Sequence, residues 1–155
     1  MYERILVPLD GSKVGEAALP HVEDLVSKLV PKVKVEVTLI QVLSPTHWVV
    51  AGEAGAPISY TAEELEQIKQ KAMDYLDKAG ENLRGEGAIV KTRVSIGDAT
   101  NEILKATGEI NADLVAMSTH GRSGLSRWAF GSVTDRVLRA ETIPVLTVRA
   151  PKKAA

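Results

Sequence analysis

Short apolar runs alternate with amphipathic helical stretches along nearly the whole chain, and this alternation limits the fold more than any other feature. Residues 4–9, RILVPL, form the first apolar run, and Val14, Ala18, Val22, Leu25 and Leu29 then recur at helical spacing. Residues 33–43, VKVEVTLIQVL, are rich in β-branched side chains and become wholly apolar, as a strand entering a buried sheet does. Residues 88–96 alternate as a third strand, 112–117 read as a fourth and 143–149 as a fifth. Thr61 and Glu64 form a capping-box pattern ahead of a helix marked by Leu65, Ile68, Ala72, Tyr75, Leu76, Ala79 and Leu83. Further helices are expected to begin at Asp98 and at Ser132, the latter running to about Arg139. Repeated strand–helix units of this kind predict an α/β fold: a parallel sheet with helices on both faces. Residues 44–60 carry two Pro and two Gly without clear periodicity and are expected to form a long loop.

The 155 residues suit one domain, placed at 1–150, with 151–155 as a polar tail. Nineteen basic and twenty acidic side chains leave a net charge of −1, which offers no general electrostatic footprint for nucleic acid or an anionic membrane. Cysteine is absent, which excludes disulfides, thiolate chemistry and Cys-based zinc sites. The three histidines, His21, His47 and His120, are too scattered for an HExxH-type metal site. No stretch approaches the roughly 18 apolar residues of a membrane span, and no secretory leader is evident, so a cytoplasmic protein is the expectation.

Open parallel sheets bind ligands beyond the carboxyl ends of their strands, where the strand order reverses. Two loops have suitable composition. Pro8-Leu9-Asp10-Gly11-Ser12 follows the first strand; Asp10 suits a ribose hydroxyl or a metal, although Asp10 and Ser12 are also ordinary caps for a helix near Lys13. The second loop lies within MSTHGRSGLSRWAFGSVTD, residues 117–135, after the fourth strand. Gly121 and Gly124 permit unusual backbone conformations, and Gly131-Ser132 stands at a helix start. Exposed N–H groups at such a turn, together with the helix dipole, suit phosphate.

Each part also has a plainer reading. Ser132 with Asp135 matches a capping box, Arg122 and Arg127 suit a solvated surface as well as a phosphate, and Trp128 and Phe130 suit a core. His120 has no matched nucleophile nearby and reads as a polar contact. Neither the GxxxxGK[ST] loop nor the GxGxxG fingerprint occurs, which excludes P-loop and dinucleotide-binding sites of those kinds.

Taken together, these residues resemble the nucleotide-binding universal stress proteins, with the likeness running from Arg4 to Arg149. That family carries G-x2-G-x9-G-[ST] after its fourth strand. Here Gly121 is followed by nine residues and then by Gly131-Ser132, while Ser118 stands where the first Gly is expected. The resemblance implies a single-domain, five-stranded open sheet of order 3-2-1-4-5, of the adenine nucleotide alpha hydrolase-like kind. It implies ATP as ligand, with Mg²⁺ or Mn²⁺ as a candidate companion ion. Pro8, Leu9 and Asp10 would line the adenine and ribose region, and the Val42 backbone would meet adenine. Met117 would pack near the base, with Ser118, Gly121, Arg122, Gly131, Ser132 and Val133 around ribose and phosphates.

The resemblance also implies a homodimer through the last strand and a regulatory role read by a protein partner. Hydrolysis is expected to be slow at most, since no positioned general base or carboxylate pair is evident. Two other readings stay open: a dimeric interaction protein that binds no nucleotide, and a binder of cAMP or AMP.

Overall fold

The structure, a computed structural model, describes residues 1–51, 54–119 and 131–151. Strand β1 (Arg4–Leu9) is followed by a 3-10 turn (Val14–Ala18), helix α1 (Leu19–Leu29) and strand β2 (Glu36–Leu43). Two short strands, β3 (Thr46–Ala51) and β4 (Ala54–Ser59), precede helices α2 (Ala62–Ala79) and α3 (Glu81–Gly85). Strand β5 (Ile89–Ile96), helix α4 (Ala99–Glu109), strand β6 (Leu114–Ser118), helix α5 (Ser132–Ala140) and strand β7 (Val145–Val148) complete the described chain.

The main sheet has the order β5-β2-β1-β6-β7, with every pairing parallel. Numbered within that sheet, this is the expected 3-2-1-4-5. Alternation along the strands divides the core in two. Ile5, Val7, Leu9, Val37 and Leu39 face one way and pack with Val22, Val26, Leu76 and Leu83 of the first three helices. Leu6, Ile40, Val115 and Met117 face the other way and pack with Ile103, Ala106 and Val137 of α4 and α5. Each face of the sheet is thereby covered by helices, as a doubly wound sheet requires.

The local chemistry explains most element boundaries. Thr61 accepts from the Glu64 N–H at 3.1 Å while Glu64 accepts from the Thr61 N–H at 2.8 Å, so the expected capping box starts α2. The Thr61 N–H, and then the Thr61 hydroxyl beside it, hold the Glu64 carboxyl below the usual carboxylate range. Asp98 caps α4 by accepting from the Asn101 N–H at 3.0 Å. The helix read from Val14 onward splits at Pro20. Proline has no N–H to donate to the Glu16 carbonyl, so the preceding turn closes instead through the Leu19 N–H to Glu16 and stays 3-10.

One expectation is overturned. The described residues of 44–60 are not an irregular loop: β3 and β4 pair as an antiparallel hairpin, with Thr46 opposite Ser59 and Trp48 opposite Pro57. A proline is tolerated there because both strands of a two-stranded ribbon are edges, and an outward-facing position needs no ladder donor. At the base of the hairpin the His47 and Tyr60 rings lie against each other, with centroids 4.5 Å apart and planes tilted by 33°.

Candidate functional site

In this strand order β1 leads outward through β2 in one direction and β6 leads outward through β7 in the other. The chain therefore reverses between β1 and β6, and a cleft opens at the carboxyl ends of these two strands. Its volume is about 290 Å³, and it is lined by Pro8, Leu9, Asp10, Val42, Met117, Ser118, Gly131, Ser132 and Val133. All nine were candidates from the sequence. The other two, Gly121 and Arg122, lie outside the described residues, as do His120, Gly124, Arg127, Trp128 and Phe130.

The cleft has two chemically different ends. Ile40, Val42, Ile103 and Met117 form an apolar end, with Ile40 fully buried and Ile103 and Met117 nearly so. At the other end α5 begins. Gly131 is its cap residue and supplies no side chain, and the Asp135 N–H is the donor that meets the Gly131 carbonyl at 2.9 Å. The N–H groups of Ser132, Val133 and Thr134 precede that first helical bond, so they carry the positive end of the helix dipole into the cleft. The Ser132–Asp135 capping box does not form; Asp135 pairs instead with Arg139 one turn on, at 3.1 Å.

Two hydrogen bonds fix this helix start, the first of them buried. Thr134 Oγ1 donates to the Ser118 carbonyl at 2.8 Å, and the Gly131 N–H donates to the Thr119 carbonyl at 2.5 Å. The chain thus leaves β6 at Thr119 and returns beside it at Gly131. A Cβ at position 131 would lie 3.0 Å from the same Thr119 oxygen, a tight contact that the backbone could relieve only by shifting, so the close approach favours glycine here.

The loop after β1 is equally constrained. Asp10 Oδ1 accepts from the Ser12 N–H at 2.9 Å and from Ser12 Oγ at 2.6 Å, and Ser12 Oγ accepts from the Gly15 N–H at 3.0 Å. Asp10 thus closes a turn onto Ser12 rather than capping a helix, Ser12 alone meets an N–H of the 3-10 turn, and Asp10 also stands in the cleft wall. Behind the loop, the Tyr75 hydroxyl donates to Glu16 Oε1 at 3.0 Å. Burial, together with the Glu16 charge, pushes the Tyr75 phenol above its ordinary range.

Five lining residues escaped the sequence reading: Gly15, Ile40, Ala99, Ile103 and Thr134. Ile40 shares a strand face with Val42, Ala99 and Ile103 are one helical turn apart, and Thr134 lies two residues past Ser132; spacing from a known neighbour was the available signal. Gly15 had none. Among the described residues no three His, Asp or Glu side chains gather as a metal site. No helix of the described residues is long and apolar enough to cross a membrane.

The chain resembles known proteins along nearly its whole length. The universal stress protein family profile matches residues 1–149. The chain is 31% identical over 154 residues to universal stress protein MJ0531 of Methanocaldococcus jannaschii, covering 99% of this chain and 85% of that one. Its fold superposes with a TM-score of 0.76 on the structure of MJ0577 from the same organism, at 25% identity and 99% coverage of both chains. A universal stress protein solved in complex with cAMP shares the fold at a TM-score of 0.68 and 18% identity, over 97% of this chain and 98% of that one.

Proposed function

This chain belongs to the universal stress protein family, and from that premise we propose that its cleft binds ATP and that the bound state acts as a switch in a stress response. The carrying observation is the union, in one cleft, of an apolar end walled by Ile40, Val42, Ile103 and Met117 with the N-terminus of α5. A purine ring is flat and largely apolar and fits the first; phosphates fit the second, where N–H groups and helix dipole converge. In this reading the Val42 backbone meets adenine, Asp10 meets the ribose, and Ser132 Oγ with the Val133 N–H meets phosphate. Gly121 and Arg122 complete the phosphate side in this reading. Adenine as the base is supported by the cAMP complex of a protein with the same fold.

The function is regulatory, with hydrolysis slow at most. The bound nucleotide changes a surface that a protein partner in the cytoplasm reads. Equilibrium dialysis of nucleotide-stripped protein against labelled ATP, with unlabelled AMP, cAMP and GTP as competitors, tests the ligand. ATP is expected to bind, and adenine nucleotides to displace it far better than GTP; displacement by GTP as effective as by ATP would sink the adenine assignment.

A homodimer through β7 belongs to the same proposal. The two edges of the sheet differ. On β5, Lys91 pairs with Glu36 at 2.8 Å and Arg93 with Glu109 at 2.6 Å, so that edge strand carries charge that discourages pairing. On β7, Val145, Leu146, Thr147 and Val148 present no charge and are only partly buried. Symmetric pairing of two β7 strands would cover them. Analytical ultracentrifugation is expected to return a dimer mass, and a monomer at every accessible concentration would remove this part of the account.

A further inference from the structure

The serine at position 118 stands where the family signature has glycine, and the structure gives it a partner. Ser118 is buried at the end of β6, and its Oγ donates to the Gly15 carbonyl at 2.8 Å, across a sequence separation of 103 residues. From Gly15 the chain of bonds continues through its N–H to Ser12 Oγ at 3.0 Å, and from Ser12 Oγ to Asp10 Oδ1 at 2.6 Å. Ser118 also faces the phosphate side, because its carbonyl accepts from Thr134 Oγ1 in the first turn of α5 at 2.8 Å. One residue is thus bonded to both walls of the cleft.

We propose that the Ser118 hydroxyl is a positioning group that sets ribose recognition, by clamping the β1 loop to the end of β6 and so holding the Asp10 carboxylate in its nucleotide-binding orientation. The inference rests on the ATP-binding reading above and deepens it. Its physical basis is preorganisation: a carboxylate already locked in place spends no binding energy on being ordered. The turn is packed tightly enough for the clamp to matter, since a Cβ at Gly15 would overlap Asp10 Oδ1 and crowd Ser12 Oγ at 3.2 Å. Glycine at 118 would leave the Gly15 carbonyl without this donor. The departure from the signature therefore strengthens nucleotide binding, whereas a serine that only intruded on the cleft would weaken it.

These alternatives have opposite signs, which makes the test direct. Wild type, Ser118→Gly, Ser118→Ala and Ser12→Ala are titrated calorimetrically with ATP and with 2′,3′-dideoxy-ATP, which lacks both ribose hydroxyls. Wild type is expected to prefer ATP by about tenfold, the scale of one hydrogen bond to a charged group. Each variant is expected to lose most of that preference, and Ser12→Ala, which does not line the cleft, to do so with dideoxy-ATP affinity unchanged within about twofold. The Ser12→Ala/Ser118→Ala double variant should be no worse than either single change, because both cut the same chain. The Ser12 change lies outside the buried strand end, so the test survives if a Ser118 variant fails to fold. Tighter ATP binding by Ser118→Gly overturns the inference; so does a wild type indifferent to the ribose hydroxyls, or variants that keep its preference. A wild type that binds neither nucleotide overturns the ATP-binding reading itself, an outcome distinct from all of these.

Discussion

A Gly131→Val variant is expected to bind ATP about 100-fold more weakly than the wild type while unfolding within a few degrees of it. Any Cβ at this position lies 3.0 Å from the Thr119 carbonyl oxygen, and that oxygen is backbone anchored by the Thr119 N–H to Val148 at 2.9 Å. A branched side chain forces the Gly131–Thr119 hydrogen bond to open, and the start of α5 moves with it. Displacing the N–H groups of Ser132 and Val133 by about 1 Å removes their aim at a phosphate, and misplacements of that size cost about 100-fold. The fold survives because position 131 is at the cleft margin and the α5 contact through buried Val137 is untouched. Calorimetric titration and a thermal melt of the same sample decide it. Binding within threefold of wild type would mean that the α5 start is not where phosphate sits.

Leu39→Ala should do the reverse, costing about 2–5 kcal/mol of stability and leaving ATP affinity unchanged. Leu39 is fully buried in β2, opposite Val7 on one side and Thr92 on the other, and it points away from the cleft toward α2. Where α2 ends, a Cβ on Gly80 would come within 2.8 Å of Val90 and 3.3 Å of Leu39 Cδ1, so helix and sheet touch closely there. Neighbours tied into a central parallel sheet cannot collapse into the space a truncated leucine leaves, which places the loss in the upper part of that range. For a chain of this length the melting temperature falls by about 10 °C or more. Denaturant unfolding measures the loss, and a change below about 1 kcal/mol would contradict this account of the core.

How far the sequence was legible follows from the range of the forces involved. Strand and helix identity came from local patterning, and the Thr61–Glu64 and Asp98 caps were readable because a cap and its donor lie three residues apart. The order of the strands was not local; it came through resemblance. The β3–β4 hairpin was missed because Pro57 and the glycines break the alternation that marks a strand, and a two-stranded ribbon tolerates such breaks. At the site, Gly131 and Ser132 were visible as a helix start. The work of Gly15 was hidden, since only folding brings it against Asp10 and Ser118. Ser118 was legible as a departure from a motif, but its partner lies 103 residues away in the turn after β1, and a motif carries no sign for the effect.

The most direct test of the central claim is an amide-resolved NMR titration of nucleotide-stripped protein with ATP. The account predicts saturable shifts at Asp10, Val42, Ser118, Ser132 and Val133, the residues that wall the cleft, with the β5 edge around Lys91 and Arg93 unmoved. An unchanged spectrum at millimolar ATP, or shifts centred away from the carboxyl ends of β1 and β6, would contradict it.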